Sequence, residues 1–206
     1  MNYSETPNKI VENVFTQNEI NQIYESFKNS SGNAFIKVHS QANMYITLPD
    51  NIINKVTNYA KEISGNENLV LTEYCHARYA NVTSNCGKFH YRPALFPHYD
   101  ETFAESRFTF DYQLQANTDW PIIVEPDIEL TLKNNQAATF SGTNQIHWRK
   151  PQIFSDDQFV EMLFFHFSDP TLPPKTAEEN AIMMAKADQY MKTFLANGGF
   201  INDASE

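Results

Sequence analysis

Two stretches of the chain space their apolar residues like helices, and both precede everything else of note. In VFTQNEINQIYESFKN, residues 14–29, Ile20, Ile23, Tyr24 and Phe27 recur three and four apart, which gathers them on one helical face. Thr16 followed by Glu19 has the form of a capping box, and the run NSSGN, 29–33, closes the element. A second helix is predicted after Pro49. Asp50 is its expected N-cap, Ile52, Ile53, Val56 and Tyr59 form its stripe, and SGNEN, 64–68, ends it. From residue 69 the period changes. LVLTEYCHARYANV, 69–82, is β-branched and aromatic and reads as a strand. RFTFDYQLQ, 107–115, alternates: Phe108, Phe110, Tyr112 and Leu114 against Thr109, Asp111, Gln113 and Gln115. Shorter strands are expected in WPIIVEP, IELTL, QAATFSG and NQIHWRK, and a last one in QFVEMLFFHFS, 158–168. Pro170, Pro173 and Pro174 then mark a linker to a third helix, Ala177 to Leu195, with Thr176 as N-cap and Gly198 beyond its end. Two helices, about eight strands and one helix predict a β sandwich or barrel with helical support, not a βαβ alternation.

The 206 residues suffice for one domain with a real core. The expected layout is a single domain over 1–206: helical support at 10–65, a β core at about 69–168 and a C-terminal helix at about 177–195. A net charge of −10 argues against a duplex nucleic-acid binder or a protein drawn to anionic membranes. No segment approaches the roughly 18 consecutive apolar residues of a membrane span. The polar start MNYSETPNK shows no secretory signal, and Cys75 and Cys86 do not make a disulfide framework, so a cytoplasmic setting is expected. No glycine-rich phosphate loop is present.

The segment FPHYDE, 96–101, sets His98 and Asp100 two residues apart. On extended backbone such residues face the same side, so an imidazole nitrogen and a carboxylate oxygen can converge on one ion. His147, in TNQIHWRKP on a later predicted strand, is the candidate third ligand. Two histidines and one carboxylate on one face of a metal leave the opposite face open, the arrangement of non-haem Fe(II) oxygenases. His39, His76, His90 and His166 are further histidines. His166, inside LFFHF, reads as a core residue, and His90 as a rival ligand or substrate contact. The methionines of IMMAKADQYM read as core or interface.

With these residues in place, the chain resembles the Fe(II)- and 2-oxoglutarate-dependent dioxygenases, in the branch similar to prolyl 4-hydroxylases. The likeness rests on His98-x-Asp100 and His147, on the entry helix IVENVFTQNEINQIYESF, on CHARYANV and on RFTFDYQLQANTDWP, and covers roughly residues 10–168. It implies a double-stranded β-helix, the cupin-like jelly roll, mainly β with flanking helices. It also implies iron held by His98, Asp100 and His147. Catalysis would use O₂ and the cosubstrate 2-oxoglutarate, releasing succinate and CO₂ as an amino acid, a peptidyl residue or a small metabolite is hydroxylated. The carboxylate at Asp100 favours hydroxylation over halogenation. The family's usual basic residue about ten positions past the distal histidine is missing, since SDDQFVEML holds no Lys or Arg. Arg149, two residues past His147 and on the same strand face, is the expected partner for the far carboxylate, with Arg78 and Arg107 in reserve and Tyr79 adding a hydroxyl. A monomer or homodimer acting on a small molecule or peptide is expected. The rival readings are a cupin-like metalloenzyme that does not use 2-oxoglutarate and a non-catalytic β-sandwich binding module.

Overall fold

The computed structural model describes residues 8–29, 35–37, 41–44, 46–80, 82–83, 90–91, 94–100 and 106–198. Among these residues the chain forms thirteen strands and three helices. The strands are β1 (Lys9–Val11), β2 (Phe35–Lys37), β3 (Gln41–Met44), β4 (Val70–Ala80), β5 (Val82–Thr83), β6 (His90–Tyr91), β7 (Leu95–His98), β8 (Ser106–Ala116), β9 (Ile122–Val124), β10 (Ile128–Leu130), β11 (Gln136–Phe140), β12 (His147–Arg149) and β13 (Phe159–Ser168). The helices are α1 (Gln17–Asn29), α2 (Asp50–Ser64) and α3 (Ala177–Ala196).

The helices begin where local chemistry satisfies their first amides. At α1 the Thr16 amide donates to Glu19 Oε2 at 2.7 Å and the Glu19 amide donates to Thr16 Oγ1 at 3.3 Å, the reciprocal pair of a capping box. Thr176 and Glu179 repeat it at α3. At α2 the expectation fails by one residue. Pro49 is the N-cap, with no side-chain cap, and Asp50 is the first helical residue, where its charge meets the positive end of the helix dipole. Gly65 ends α2 in the left-handed conformation, with φ 67°, that glycine adopts without penalty.

Two antiparallel sheets pack face to face. The larger has the order β1-β11-β8-β13-β4-β3-β2 and the smaller β10-β9-β12-β7, the double-layered jelly roll that the family resemblance implied. Sequence reading placed all the strands after the second helix. The chain instead inserts the β2–β3 hairpin between α1 and α2, and β3 pairs with β4 to widen the large sheet. Strands of three and four residues carry too few positions to display a period, and β1 is equally short.

The large sheet separates two cores. On its outer face Phe108, Phe110, Tyr112, Leu163, Phe165 and Phe167 pack against the stripes of α1 and α2, including Ile23, Ile52 and Val56. Between the sheets lie Tyr79, Trp120, Ile122, Phe140, Val160 and Met162, with Phe154 closing one end. Asn135 ties the N-terminal segment to this frame. Its side chain accepts from the Phe15 amide and donates to the Phe15 carbonyl, both at 2.8 Å. No described helix is long and apolar enough to cross a membrane.

Candidate functional site

His98 is the last residue of β7 and His147 the first of β12, and the two stand directly opposite each other in the antiparallel ladder. Pairing alone therefore brings the imidazoles together, with ring centroids 4.2 Å apart. Asp100 follows just beyond the end of β7. Its amide donates to the Gly142 carbonyl at 2.9 Å, which fixes the chain where it leaves the small sheet. Asp100 Oδ1 then lies 3.3 Å from His147 Nε2 and 3.9 Å from His98 Nε2. Among the described residues this is the one group of three such side chains whose ligand atoms all fall within 4.8 Å of one another.

The remaining contacts prepare each group to ligate. His98 Nδ1 is 2.6 Å from the Phe96 carbonyl and His147 Nδ1 is 3.2 Å from the Gln145 carbonyl. A carbonyl only accepts, so each Nδ1 carries a proton and each Nε2 is turned toward Asp100. Desolvation and the neighbouring His147 push the His98 imidazole down to about 4, against the pull of Asp100, so it is neutral near pH 7. Burial works to lower His147 as well, but Asp100 beside it lifts it above its ordinary value. Burial would raise Asp100, yet His147, His166 and His98 hold its carboxyl well below the usual range. One ionised carboxylate and two imidazole nitrogens are the donor set that suits a first-row divalent metal. Their 3.3 and 3.9 Å spacings approach the about 3 Å expected of adjacent ligands that share one ion.

Behind this cluster, between the sheets, lies a second constellation. His147 and Arg149 are both buried, whereas Trp148 between them faces outward onto Tyr190 of α3, so Arg149 does share the face of His147. Arg149 is 1% exposed. It donates to the Trp120 carbonyl, reaches Met162 Sδ at 3.9 Å and stacks over the Trp120 ring at 4.9 Å. No carboxylate among the described residues forms an ion pair with it. Tyr79, fully buried on β4, packs edge-on against Trp120, and its hydroxyl finds no hydrogen-bond partner among the described residues. Tyr79 and Arg149 both pack against the Trp120 ring, so they share one interior, where burial drives the Tyr79 phenol up while Arg149 pulls it down.

Two residues of this interior escaped the sequence reading. Asp111 looked like the polar side of an alternating strand. It is buried, and desolvation pushes its carboxyl up to about 7, against the pull of His147 and Arg149. His166 was expected in the core. It is buried, but its Nε2 stands 3.6 Å from Asp100 Oδ2, so it forms the back wall of the His98–Asp100–His147 cluster. The alternation of β8 was the available signal for Asp111, because a polar face between two packed sheets cannot be a solvent face. Arg78 points to the opposite side of β4, onto the Phe159 ring at 3.9 Å and toward Glu161, and is no part of the site. His39, Cys86 and the side chains of His90 and Arg107 lie outside the described residues.

In front of the cluster, a cavity of about 230 Å³ opens beside Asp100, walled by Tyr99, Thr143, Asn180, Met183 and Met184. Met183 and Met184 of α3 thus line the approach to the cluster.

By sequence the chain matches no protein-family model and no curated protein. By structure it is similar to an oxidoreductase of the 2OG-Fe(II) oxygenase family from Burkholderia pseudomallei, at TM-score 0.57 and 11% identity over 81% of this chain and 85% of that one. The chain has the 2OG-Fe(II) oxygenase fold. HygX from Streptomyces hygroscopicus, solved with nickel and 2-oxoglutarate bound, superposes at TM-score 0.57 with 8% identity over 86% and 91% of the two chains. The viral collagen prolyl hydroxylase of Paramecium Bursaria Chlorella virus-1, in its 2OG complex, gives 0.51 with 13% identity over 81% and 98%.

Proposed function

We propose that this protein is an Fe(II)- and 2-oxoglutarate-dependent dioxygenase that hydroxylates an amino acid, a peptidyl residue or a small metabolite. The observation that carries the reading is Arg149. A buried guanidinium without a carboxylate partner among the described residues is costly, and this one lies on the strand that supplies His147 and shares the Trp120 ring with Tyr79, whose hydroxyl is unmatched among the described residues. A dicarboxylate that ligates the metal at one end would offer its far carboxylate to both groups. Arg149 would meet it as a flat fork of donors, and Tyr79 would add one more hydrogen bond.

His98, Asp100 and His147 would hold the iron. When bound, Fe(II) with 2-oxoglutarate supplies the oxidative chemistry that couples release of succinate and CO₂ to oxidation of a substrate C–H bond. The chain contributes placement. Trp120, Phe140 and Met162 keep water from the interior. The cavity beside Asp100 would receive the substrate group to be oxidised, against the flexible wall of Met183 and Met184.

The test is anaerobic addition of Fe(II) and 2-oxoglutarate. A weak visible metal-to-ligand absorption that needs both components is expected. A protein that binds Fe(II) yet gives no such band is a metalloenzyme of another kind, and one that binds neither is a binding module.

A further inference from the structure

The two oxygens of Asp100 have unequal surroundings. Oδ1 faces His147 and His98. Oδ2 faces the other way and accepts a hydrogen bond from Thr109 Oγ1 at 3.0 Å, with His166 Nε2 at 3.6 Å. We propose, on the metal reading given above, that Thr109, His166 and Gly142 are positioning residues that hold Asp100 as a one-oxygen ligand, presenting Oδ1 to the metal and keeping Oδ2 off it.

The sheet register builds this cradle. Thr109 on β8 stands directly opposite His166 on β13, and on its other side it pairs with Phe140 at the end of β11, two residues before Gly142. All three cradle residues are buried. Gly142 is required for space. A Cβ there would fall 1.7 Å from Asp100 Oδ2 and 2.4 Å from Thr109 Oγ1, far inside any real contact. An aspartate carboxyl otherwise turns through a broad range about its last torsion. It could then offer both oxygens to one ion and take up a coordination position that a chelating cosubstrate and O₂ need. Thr109 spends its single hydroxyl hydrogen on Oδ2, His166 blocks the back, and the bare Gly142 lets the carboxylate sit there.

The experiment titrates the metal-free protein with Co(II) under anaerobic conditions and follows the visible ligand-field bands, which report affinity and coordination number apart from turnover. Thr109→Val should weaken Co(II) about 10- to 100-fold, as loss of an outer partner of a metal ligand does, and should alter the bands. Thr109→Ser should restore both to within a few-fold. Gly142→Ala should lose as much affinity as Asp100→Ala; if it does not fold, the Thr109 pair decides alone. Wild-type affinity and bands in Thr109→Val, with Asp100→Ala still impaired, would overturn the cradle and leave the metal site standing. Wild-type Co(II) binding in both Asp100→Ala and His147→Ala would overturn both.

Discussion

Alternate residues of β8 enter two different environments. Phe108, Phe110, Tyr112 and Leu114 turn outward into the aromatic layer beneath α1 and α2. Thr109, Asp111 and Gln113 turn inward and are equally buried, at 1, 4 and 3% exposure. Strand β13 repeats the division, with Leu163, Phe165 and Phe167 outward, Met162 between the sheets and His166 against Asp100. Alternation in an antiparallel strand commonly marks one dry and one wet face. Here both faces are dry. Buried polar groups cost free energy unless each is matched. Gln113 is matched by the Leu132 carbonyl at 3.0 Å and Thr109 by Asp100. The outer face is thus a stability device, and the inner face holds a site that its own polar groups do not fully satisfy.

The largest test of that division separates stability from chemistry. Phe110→Ala removes a fully buried ring from the outer layer, where it contacts the rings of Tyr59 and Phe165. It should cost about 3–5 kcal/mol of unfolding free energy, read by denaturant titration, while the protein that stays folded keeps wild-type affinity for metal. Altered metal affinity would mean that the two faces are not independent. Arg149→Ala attacks the inner face. It should raise the 2-oxoglutarate concentration required by about a hundredfold, near 2.7 kcal/mol, with Co(II) affinity little changed. Arg149→Lys should recover only part, because the bidentate geometry is lost. Unchanged cosubstrate titration in Arg149→Ala would remove the main support for the dioxygenase reading.

These two faces also explain what was legible in the sequence. Outer-face residues announce themselves by period, and α1, α2 and β8 follow from it, while β4 is read from its β-branched and aromatic content and α3 from Thr176 and the prolines before it. His98, Asp100 and His147 were legible because one short spacing and one distant histidine suffice to suggest a ligand set. Arg149 followed from its distance of two residues along a strand. Asp111 and His166 were not legible as site residues, since their role depends on which strands become neighbours. Strand β13 lies between β4 and β8, and no local pattern states that order. The β2–β3 hairpin was invisible for a different reason: its strands are too short to carry a period.

A smaller effect follows from Asp111. Its folded carboxyl titrates at about 7, against an ordinary value of 3.8. Between those values the folded protein keeps a proton that the unfolded chain has released, so this group's contribution is full at low pH and is lost as pH rises toward 7. His98 has the opposite sign in the same window. It is neutral in the fold down to about 4, against 6.5 in the unfolded chain, so its contribution is lost as pH falls from 6.5 toward 4. Comparing a variant with the wild type cancels the His98 effect. In metal-free protein, Asp111→Asn should gain on the wild type as pH rises from 4 to 7, by on the order of 3 kcal/mol, measured as the difference between two denaturation series. A difference that does not change with pH would mean that Asp111 is ionised throughout, and Arg149 would then have a standing counter-charge.

The smallest effect is the most discriminating, because two readouts should move in opposite directions. The Tyr79 hydroxyl is buried without a hydrogen-bond partner among the described residues, and an unmatched buried donor costs about 1–3 kcal/mol. Tyr79→Phe deletes the hydroxyl and keeps the ring against Trp120, at 4.9 Å between centroids. The cosubstrate-free protein should therefore become more stable, by about 1 kcal/mol in thermal or denaturant unfolding. The same variant should bind 2-oxoglutarate about tenfold more weakly in anaerobic titration, because a hydrogen bond to a charged carboxylate contributes roughly 1.5–3 kcal/mol and part of that is offset by the relieved penalty. Metal affinity should stay unchanged, since Tyr79 touches none of the three ligands. A variant that loses stability and keeps its affinity for 2-oxoglutarate would place the hydroxyl in the structural frame and leave Arg149 to hold the far carboxylate without it.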